Sequence, residues 1–174
     1  MEKSKQLVVL CGIPGSGKST WAKTKNGKYL KIVSRDAIRF SLIGENDEYF
    51  SKETEVFNTF INEIKKALKE EEILTVIADA THINQASRTK LLRALGKSVK
   101  DVEVVGLYFD ANENLAIEHN EERKGTRTFV PHAVIRRMAC QFEAPTEKEG
   151  FDKIYNIKIT TTGGYNYIRE SGVD

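Results

Sequence analysis

The chain has 174 residues, of which 40% are hydrophobic and 30% charged, and its formal net charge is +2. This length and composition indicate one soluble domain, residues 1–174, built around a single core. The longest apolar runs, such as LVVLC at 7–11, are too short for a membrane span, so we expect no membrane segment.

The N-terminal sequence MEKSKQLVVL has neither the long apolar stretch nor the cleavage site of a signal peptide, so we expect a cytoplasmic location. Neither the two cysteines, Cys11 and Cys140, nor the three histidines show metal-ligand spacing. We therefore expect no structural metal. Cys11, inside an apolar run, is predicted to be a small core residue.

Five apolar runs with strand character alternate with segments of helical periodicity. The runs are QLVVLC (6–11), YLKIVS (29–34), ILTVIAD (73–79), DVEVVGLYF (101–109) and KIYNIKI (153–159). The predicted helices are 51–72, 87–97, Asn112 (as N-cap) to about Glu122, and Pro131 to about Phe142. This alternation predicts an α/β fold with a mainly parallel central sheet and helices on both faces, and ligands beyond the carboxyl ends of the strands.

The first run is followed by a complete phosphate-binding motif, G-x-x-x-x-G-K-[ST], at residues 12–19. Its glycines let backbone N–H groups turn toward phosphate oxygens, while Lys18 can reach the β- and γ-phosphates and the Ser19 hydroxyl can ligate Mg²⁺. The predicted nucleotide contacts are Gly12, Pro14, Gly15, Ser16, Gly17, Lys18, Ser19 and Thr20. The motif predicts a P-loop NTPase fold that binds ATP, or another nucleoside triphosphate, with Mg²⁺. Phosphate binding alone leaves open a phosphotransferase, a hydrolytic switch or motor, and a module without turnover.

Asp36 and Arg39 follow the second run, and their spacing places both side chains on one face of a helix's first turn. A carboxylate at this rim can accept the proton of an attacking hydroxyl, and an arginine can hold a phosphate of the acceptor. The alternative is a helix N-cap at Asp36 with Arg39 as its ion-pair partner. These residues alone do not decide between the two interpretations.

Asp79 ends the third run, where P-loop proteins hold or polarise the Mg²⁺ shell. The alternative is an ordinary turn at a strand end, with Asn84 as the N-cap of the next helix. We expect Asn84 to be that cap, and we favour Asp79, together with Ser19, as a metal ligand.

A basic segment, HNEERKGTRTFVP at 119–131, follows the fourth run, and from Arg123 to Phe142 there are five Lys or Arg residues and no acid. Small P-loop kinases close such a segment over the donor phosphates, where arginine neutralises the charge on the transferred group. The alternative is a solvated helix end whose basic residues favour the helix dipole. The local charge favours a mobile basic lid with Arg123 and Arg127 near the nucleotide.

Taken in order, these motifs resemble those of the 5′-hydroxyl polynucleotide kinases, such as the kinase domain of the bacteriophage end-healing enzyme and the kinase half of the animal kinase–phosphatase. The resemblance covers about residues 6–159, with the blocks GIPGSGKSTWAK (12–23), SRDAIR (34–39), DATHINQASR (79–88), HNEERKGTR with FVP following (119–131) and CQFEAPTEKEGFDKI (140–154). On the donor side it implies that Lys18 and Ser19 are the P-loop pair, Asp79 is the acid after the third strand, and Arg123 is the lid arginine.

On the acceptor side, the resemblance implies that Asp36 is the general base on a 5′-hydroxyl, Arg39 contacts the acceptor's 3′-phosphate, and Val130 packs against the terminal base. The expected function is ATP-dependent transfer of the γ-phosphate to the 5′-hydroxyl end of DNA or RNA, as in nucleic-acid repair. The alternatives are a kinase of a small-molecule alcohol or nucleoside, and a non-catalytic nucleotide-binding module of a repair assembly. The set of Lys18, Asp36 and Arg123 argues against the module, which has no need for a base.

The sequence also departs from that family. It has no D-x-D-x-T phosphatase motif, so a 3′-phosphatase on a separate chain, like a ligase, is a candidate partner. Lys124 and Arg127 accompany Arg123, so the sequence does not decide which cation acts in the lid. The C-terminal tail, TTTGGYNYIRESGVD at 160–174, has turn-forming glycines and two tyrosines, and its role is open.

Overall fold

The structure is a computed structural model that describes residues 4–110 and 112–170. In these ranges the strands are β1 (Lys5–Cys11), β2 (Leu30–Ser34), β3 (Thr75–Asp79), β4 (Val102–Phe109), β5 (Lys153–Ile159) and β6 (Tyr165–Arg169). The α-helices are α1 (Lys18–Thr24), α2 (Arg35–Leu42), α3 (Glu53–Lys69), α4 (Gln85–Leu95), α5 (Glu113–Glu121) and α6 (His132–Gln141). None of the helices in this described part is both long and apolar enough to cross a bilayer.

The six strands form one sheet in the order β2-β3-β1-β4-β5-β6, with the first five parallel and β6 antiparallel to β5. Because β1 pairs with β3 on one side and β4 on the other, a crevice opens at its carboxyl end, where such sheets bind ligands. The register places Ser34 of β2 beside Asp79 of β3, so the segments that follow these strands begin close together. The predicted α/β fold with a mainly parallel sheet is confirmed.

Alternate residues of β1 pack on opposite faces of the sheet. Leu7 and Val9 belong to a cluster with Phe60 of α3, whereas Leu10 packs with Trp21 of α1. Burial on both faces explains why β1 is a continuous apolar run in the sequence. Helices therefore cover both faces of the sheet, as predicted.

The tail contains a strand that the sequence pattern does not predict. After a turn at Gly163, β6 pairs with β5 at the edge of the sheet. Tyr167 Oη accepts a hydrogen bond from Trp21 Nε1 at 2.7 Å, and Tyr108 Oη donates to Glu170 at 2.6 Å. The described part of the tail thus forms the edge strand of the sheet, next to β5. Residues 171–174 lie outside the described ranges.

Candidate active site

Two glycines of the P-loop, which joins β1 to α1, have left-handed backbone conformations. Gly15 has φ 81° and Gly17 has φ 95°, which L side chains rarely adopt. A Cβ atom at Gly15 would also lie 2.3 Å from the carbonyl oxygen of Ala116 in α5. His119 of the same helix donates from Nδ1 to the Gly15 carbonyl oxygen at 2.9 Å. The helix that leads into the lid is therefore packed directly against the P-loop.

Lys18 begins α1 and its side chain is buried. Its Nζ donates to the carbonyl oxygen of Ile13 at 3.3 Å. Burial lowers the pKa of Lys18, whereas the negative charges of Asp79 and Asp36 act in the opposite direction. A buried ammonium group gains strongly from an anionic partner, so this position suits a nucleotide phosphate.

The Ser19 hydroxyl donates to Asp79 Oδ1 at 3.3 Å and so joins the start of α1 to the end of β3. Burial raises the pKa of Asp79, while the charge of Lys18 lowers it. Hydroxyl and carboxylate oxygens are hard ligands of the kind that Mg²⁺ prefers, so this pair fits the ion. Within the described ranges, no group of three His, Cys, Asp or Glu side chains could hold a metal, so phosphates and water would supply its other ligands.

Ser34, not Asp36, is the N-cap of α2. The Ser34 hydroxyl accepts a hydrogen bond from the backbone N–H of Ala37 at 3.2 Å, so the capping interpretation of Asp36 is wrong. The other part of that alternative, an ion pair between Asp36 and Arg39, is present. The Asp36 side chain is 59% exposed, so its carboxylate remains accessible to a ligand.

Arg39 is buried and uses all three nitrogens of its guanidinium within the protein. Nη1 donates to Asp36 Oδ1 and, at 2.8 Å, to Tyr49 Oη. Nε and Nη2 donate to the Glu53 carboxylate at 3.3 Å and 3.0 Å respectively. An acceptor phosphate would have to share or replace one of these partners, so the contact of Arg39 with a 3′-phosphate stays a prediction.

Two of the three lid cations have partners within the protein. Lys124 pairs with Glu121 on the surface, with 4.0 Å between Nζ and the carboxylate. Arg127 donates to the carbonyl oxygen of Ile43 at 3.3 Å, and its guanidinium lies 4.7 Å from the ring centroid of Phe40. The contacts of Arg127 with Ile43 and Phe40 suit anchoring of the lid, whereas the pair of Lys124 with Glu121 lies within the lid itself.

A pocket of about 600 Å³ joins the P-loop, α2 and the lid. Its walls bring together most of the predicted site residues, namely Pro14, Gly15, Gly17, Lys18, Ser19, Asp36, Arg39, Asp79, Arg123, Arg127 and Val130. Of the other predicted nucleotide contacts, Gly12 and the Ser16 hydroxyl are buried within the loop, and Thr20 is exposed on α1. Arg123 lies near enough to Lys18 for its charge to lower the pKa of Lys18, and it forms no ion pair within 4–110 and 112–170.

The pocket also contains residues that the sequence pattern does not single out. Tyr49, Phe50 and Phe129 give it aromatic walls, and Glu53 binds Arg39. Phe50 is 59% exposed, a large apolar ring left open to ligands. The available signal is the segment EYFSKE at 48–53, where two aromatics lie in a loop between helices, because loops often carry binding residues.

A buried ion pair joins two of the blocks that carry the resemblance. Arg88 of α4 donates from Nε to Glu149 Oε1 at 2.6 Å. Its Nη1 donates to the carbonyl oxygens of His82 and Glu143 at 2.9 and 2.8 Å. The ion pair therefore holds the segment that follows Asp79 in place, although neither Arg88 nor Glu149 lines the pocket.

Comparison with known proteins places the domain in a family. The family model AAA_33, described as an AAA domain, matches residues 7–145. The chain belongs to this family. This AAA_33 domain is 30% identical over 169 residues to L-seryl-tRNA(Sec) kinase of Methanococcus maripaludis. The aligned region covers 92% of this chain and 61% of the relative.

Two further proteins are similar to this AAA_33 domain. A protein of Autographa californica nuclear polyhedrosis virus, named as a bifunctional polynucleotide kinase/RNA ligase, is 44% identical over 75 residues, or 42% of the chain and 10% of that protein. A chain of the solved Pnkp1/Rnl/Hen1 RNA repair complex has a TM-score of 0.60 and 24% identity, covering 81% of this chain and 45% of that one. The structural match shows the shared fold. The domain thus spans only part of the length of each of these proteins.

Proposed function

We propose that this AAA_33 domain is a phosphotransferase that uses ATP and Mg²⁺ to phosphorylate the 5′-hydroxyl end of DNA or RNA. The observation that carries the proposal is the accessible carboxylate of Asp36 in the same pocket as Lys18, Ser19 and Arg123. An alcohol acceptor needs such a carboxylate beside the γ-phosphate. A nucleotide-binding module without turnover does not.

In the proposed reaction, the acceptor hydroxyl gives its proton to Asp36 while its oxygen bonds to the γ-phosphorus and the bond to the ADP oxygen breaks. Lys18 and Arg123 neutralise the negative charge on the phosphoryl oxygens during transfer. Ser19 and Asp79 would hold Mg²⁺, which would supply electrostatic stabilisation of the phosphates. The lid reduces access of water, which would otherwise compete as acceptor.

Three features favour a nucleic acid over a small alcohol. Phe50 and Phe129 offer flat surfaces on which bases stack, and Val130 adds an apolar contact. The basic stretch 123–142, without acids, favours a polyanion. The names of two similar proteins refer to a polynucleotide kinase and to RNA repair. We also propose a ligase on a separate chain as a partner, since the viral protein's name joins a polynucleotide kinase to an RNA ligase. A 3′-phosphatase on a separate chain is the other proposed partner, because the sequence has no D-x-D-x-T phosphatase motif.

A second candidate acceptor is a hydroxyl carried by an aminoacyl group on tRNA. The relative that matches 92% of the chain is named L-seryl-tRNA(Sec) kinase, and its acceptor is also an alcohol attached to RNA. The same Asp36 base would serve both reactions. The two candidates differ in whether the hydroxyl belongs to the terminal sugar or to an amino acid.

The test is transfer of labelled γ-phosphate from ATP to a panel of acceptors. The panel holds 5′-hydroxyl DNA and RNA oligonucleotides, seryl-tRNA, nucleosides and simple sugars, with Asp36→Asn protein as the control. We expect the wild type to label the oligonucleotides, and we expect the rate of transfer by the Asp36→Asn protein to be lower by about 10²-fold or more. Label on seryl-tRNA alone would select the second candidate, and label on nucleosides or sugars alone would select a small-molecule kinase.

A further inference from the structure

We propose that Tyr49 is a positioning residue for the reaction, holding Asp36 so that one defined carboxylate oxygen meets the acceptor hydroxyl. This inference rests on the proposed role of Asp36 as the base. Tyr49 lies in the loop between α2 and α3 and lines the pocket beside Asp36. Its role follows from the hydrogen bonds of its hydroxyl group and the packing of its ring.

The partners of the Tyr49 hydroxyl fix the direction of each hydrogen bond. Arg39 Nη1 can only donate, so Tyr49 Oη accepts from it at 2.8 Å. The Asp36 carboxylate is an acceptor, so Tyr49 Oη donates to Asp36 Oδ1 at 2.7 Å. Arg39 Nη1 also donates to the same Oδ1. The three side chains therefore form a closed triangle with a single consistent set of proton positions.

Packing around the ring keeps the hydroxyl in this place. The Tyr49 ring meets Phe40 and Phe50 edge to face, with centroids 6.1 Å and 4.6 Å apart. The Arg39 guanidinium lies 4.3 Å from the ring centroid. Burial raises the pKa of Tyr49, and the charge of Asp36 raises it further, so the hydroxyl keeps the proton that it donates.

This arrangement makes the two oxygens of Asp36 different from each other. Oδ1 accepts from both Tyr49 and Arg39, whereas Oδ2 has no hydrogen-bond partner among the described residues. Oδ2 is therefore the atom that takes the acceptor proton, as the acceptor oxygen bonds to phosphorus and ADP leaves. Fixing the carboxylate in advance removes a rotation that would otherwise have to be restricted in the transition state.

Tyr49→Phe tests the proposal because it keeps the ring and removes the hydroxyl alone. On an acceptor that the wild type phosphorylates, we expect kcat to fall about 10-fold or more, because one charge-assisted hydrogen bond to Asp36 is lost. The KM for ATP should stay within about twofold of the wild-type value. The matched control is Tyr108→Phe, which removes another tyrosine–carboxylate hydrogen bond, that to Glu170, outside the pocket. The control should keep wild-type kcat.

A double-mutant cycle separates positioning from general support of the fold. If Tyr49 acts through Asp36, adding Tyr49→Phe to Asp36→Asn costs little further activity, so the two effects do not add. Additive losses, or wild-type kcat in Tyr49→Phe, would overturn the inference. If no acceptor in the panel takes up label from wild-type protein, the proposed function fails, which is a different result from an active enzyme that is insensitive to Tyr49→Phe.

Discussion

The guanidinium of Arg127 lies over the ring of Phe40, 4.7 Å from its centroid, and attaches the lid to the helix that carries Asp36. Arg123, on the same lid, lines the pocket near Lys18 and makes no ion pair in the described part of the chain. We therefore expect anchoring of the lid and neutralisation of the phosphate charge to be carried out by different arginines. The two arginines are only four residues from each other in the sequence, and their sequence context does not distinguish their roles.

This division predicts different kinetic effects for the two arginines. Arg123→Ala should lower kcat by about 10³-fold, more than it raises the KM for oligonucleotide, because its charge acts on the transferring group. Arg127→Ala should be milder, since it loosens the lid without removing charge from the phosphates. Lys124→Ala, which removes a surface pair, is the control. Steady-state kinetics that reverse this ranking would show that Arg127 is the lid cation at the phosphates.

Lys18→Ala should abolish most transfer while leaving the fold intact. Its ammonium is buried, and burial lowers its pKa, so the charge is costly to hold without a phosphate. We therefore expect a thermal midpoint equal to or above that of the wild type, measured without nucleotide. Lys23→Ala, on an exposed position of the same helix, should keep both activity and stability. Near wild-type turnover in Lys18→Ala would refute the P-loop assignment.

The sequence predicts the elements that depend on local pattern. The P-loop motif, the five parallel strands and the Asn84 cap are each set by a few neighbouring residues, and the structure contains all of them. Contacts between residues that are distant in the sequence are not determined by neighbouring residues. Glu53 and Tyr49 bind Arg39 from 14 and 10 residues away, across a loop whose path no periodicity describes. The edge strand β6 likewise depends on β5 and Trp21 for its partners.

Because His82 is buried, we expect the protein to lose stability in mild acid. It is buried with φ 40°, donates from Nδ1 to the Leu10 carbonyl oxygen at 2.7 Å, and burial lowers its pKa to about 4. Because the unfolded chain binds this proton near pH 6.5 and the folded chain only near pH 4, the free energy of unfolding falls as the pH drops between these values. The full effect is at most about 3 kcal/mol.

Urea unfolding at pH 7.5 and pH 5 tests this, with His82→Asn as the variant, since asparagine tolerates left-handed backbone. The variant should lose less stability than the wild type between the two pH values. Parallel curves for wild type and His82→Asn would exclude His82 as the source of the acid sensitivity.

Phe50 should contribute to acceptor binding through its exposed ring. Phe50→Ala is expected to raise the KM for a 5′-hydroxyl oligonucleotide about 10-fold, the cost of losing one stacked base, and Phe50→Trp should restore it. An oligonucleotide without bases at its first two positions should show no such change. Tyr29→Ala, which removes an exposed ring outside the pocket, is the control. Equal losses on the normal and abasic acceptors would argue against stacking on Phe50.

A phosphate next to the terminal sugar distinguishes a nucleic acid acceptor from a small alcohol. If Arg39 holds the phosphate that follows the terminal sugar, a nucleoside 3′-monophosphate should be phosphorylated far more efficiently than the bare nucleoside. Arg39 also holds Asp36, so Arg39→Gln should lower the rate with both acceptors. The informative quantity is therefore the ratio of the two kcat/KM values, which should shrink in Arg39→Gln.

Salt supplies the second measurement for the same question. The KM for oligonucleotides should rise with ionic strength, because each phosphate contact releases counterions, whereas the KM for a neutral nucleoside should not. Glu45→Gln changes a charge outside the pocket, so it should leave the kcat/KM ratio unchanged. Equal kcat/KM for nucleoside and nucleoside 3′-monophosphate, together with oligonucleotide kinetics that do not depend on salt, would replace the polynucleotide acceptor with a small-molecule alcohol. A large ratio that persists in Arg39→Gln would keep the nucleic acid and move the phosphate contact to another cation of the pocket, with Arg123 and Arg127 as the side chains to replace next.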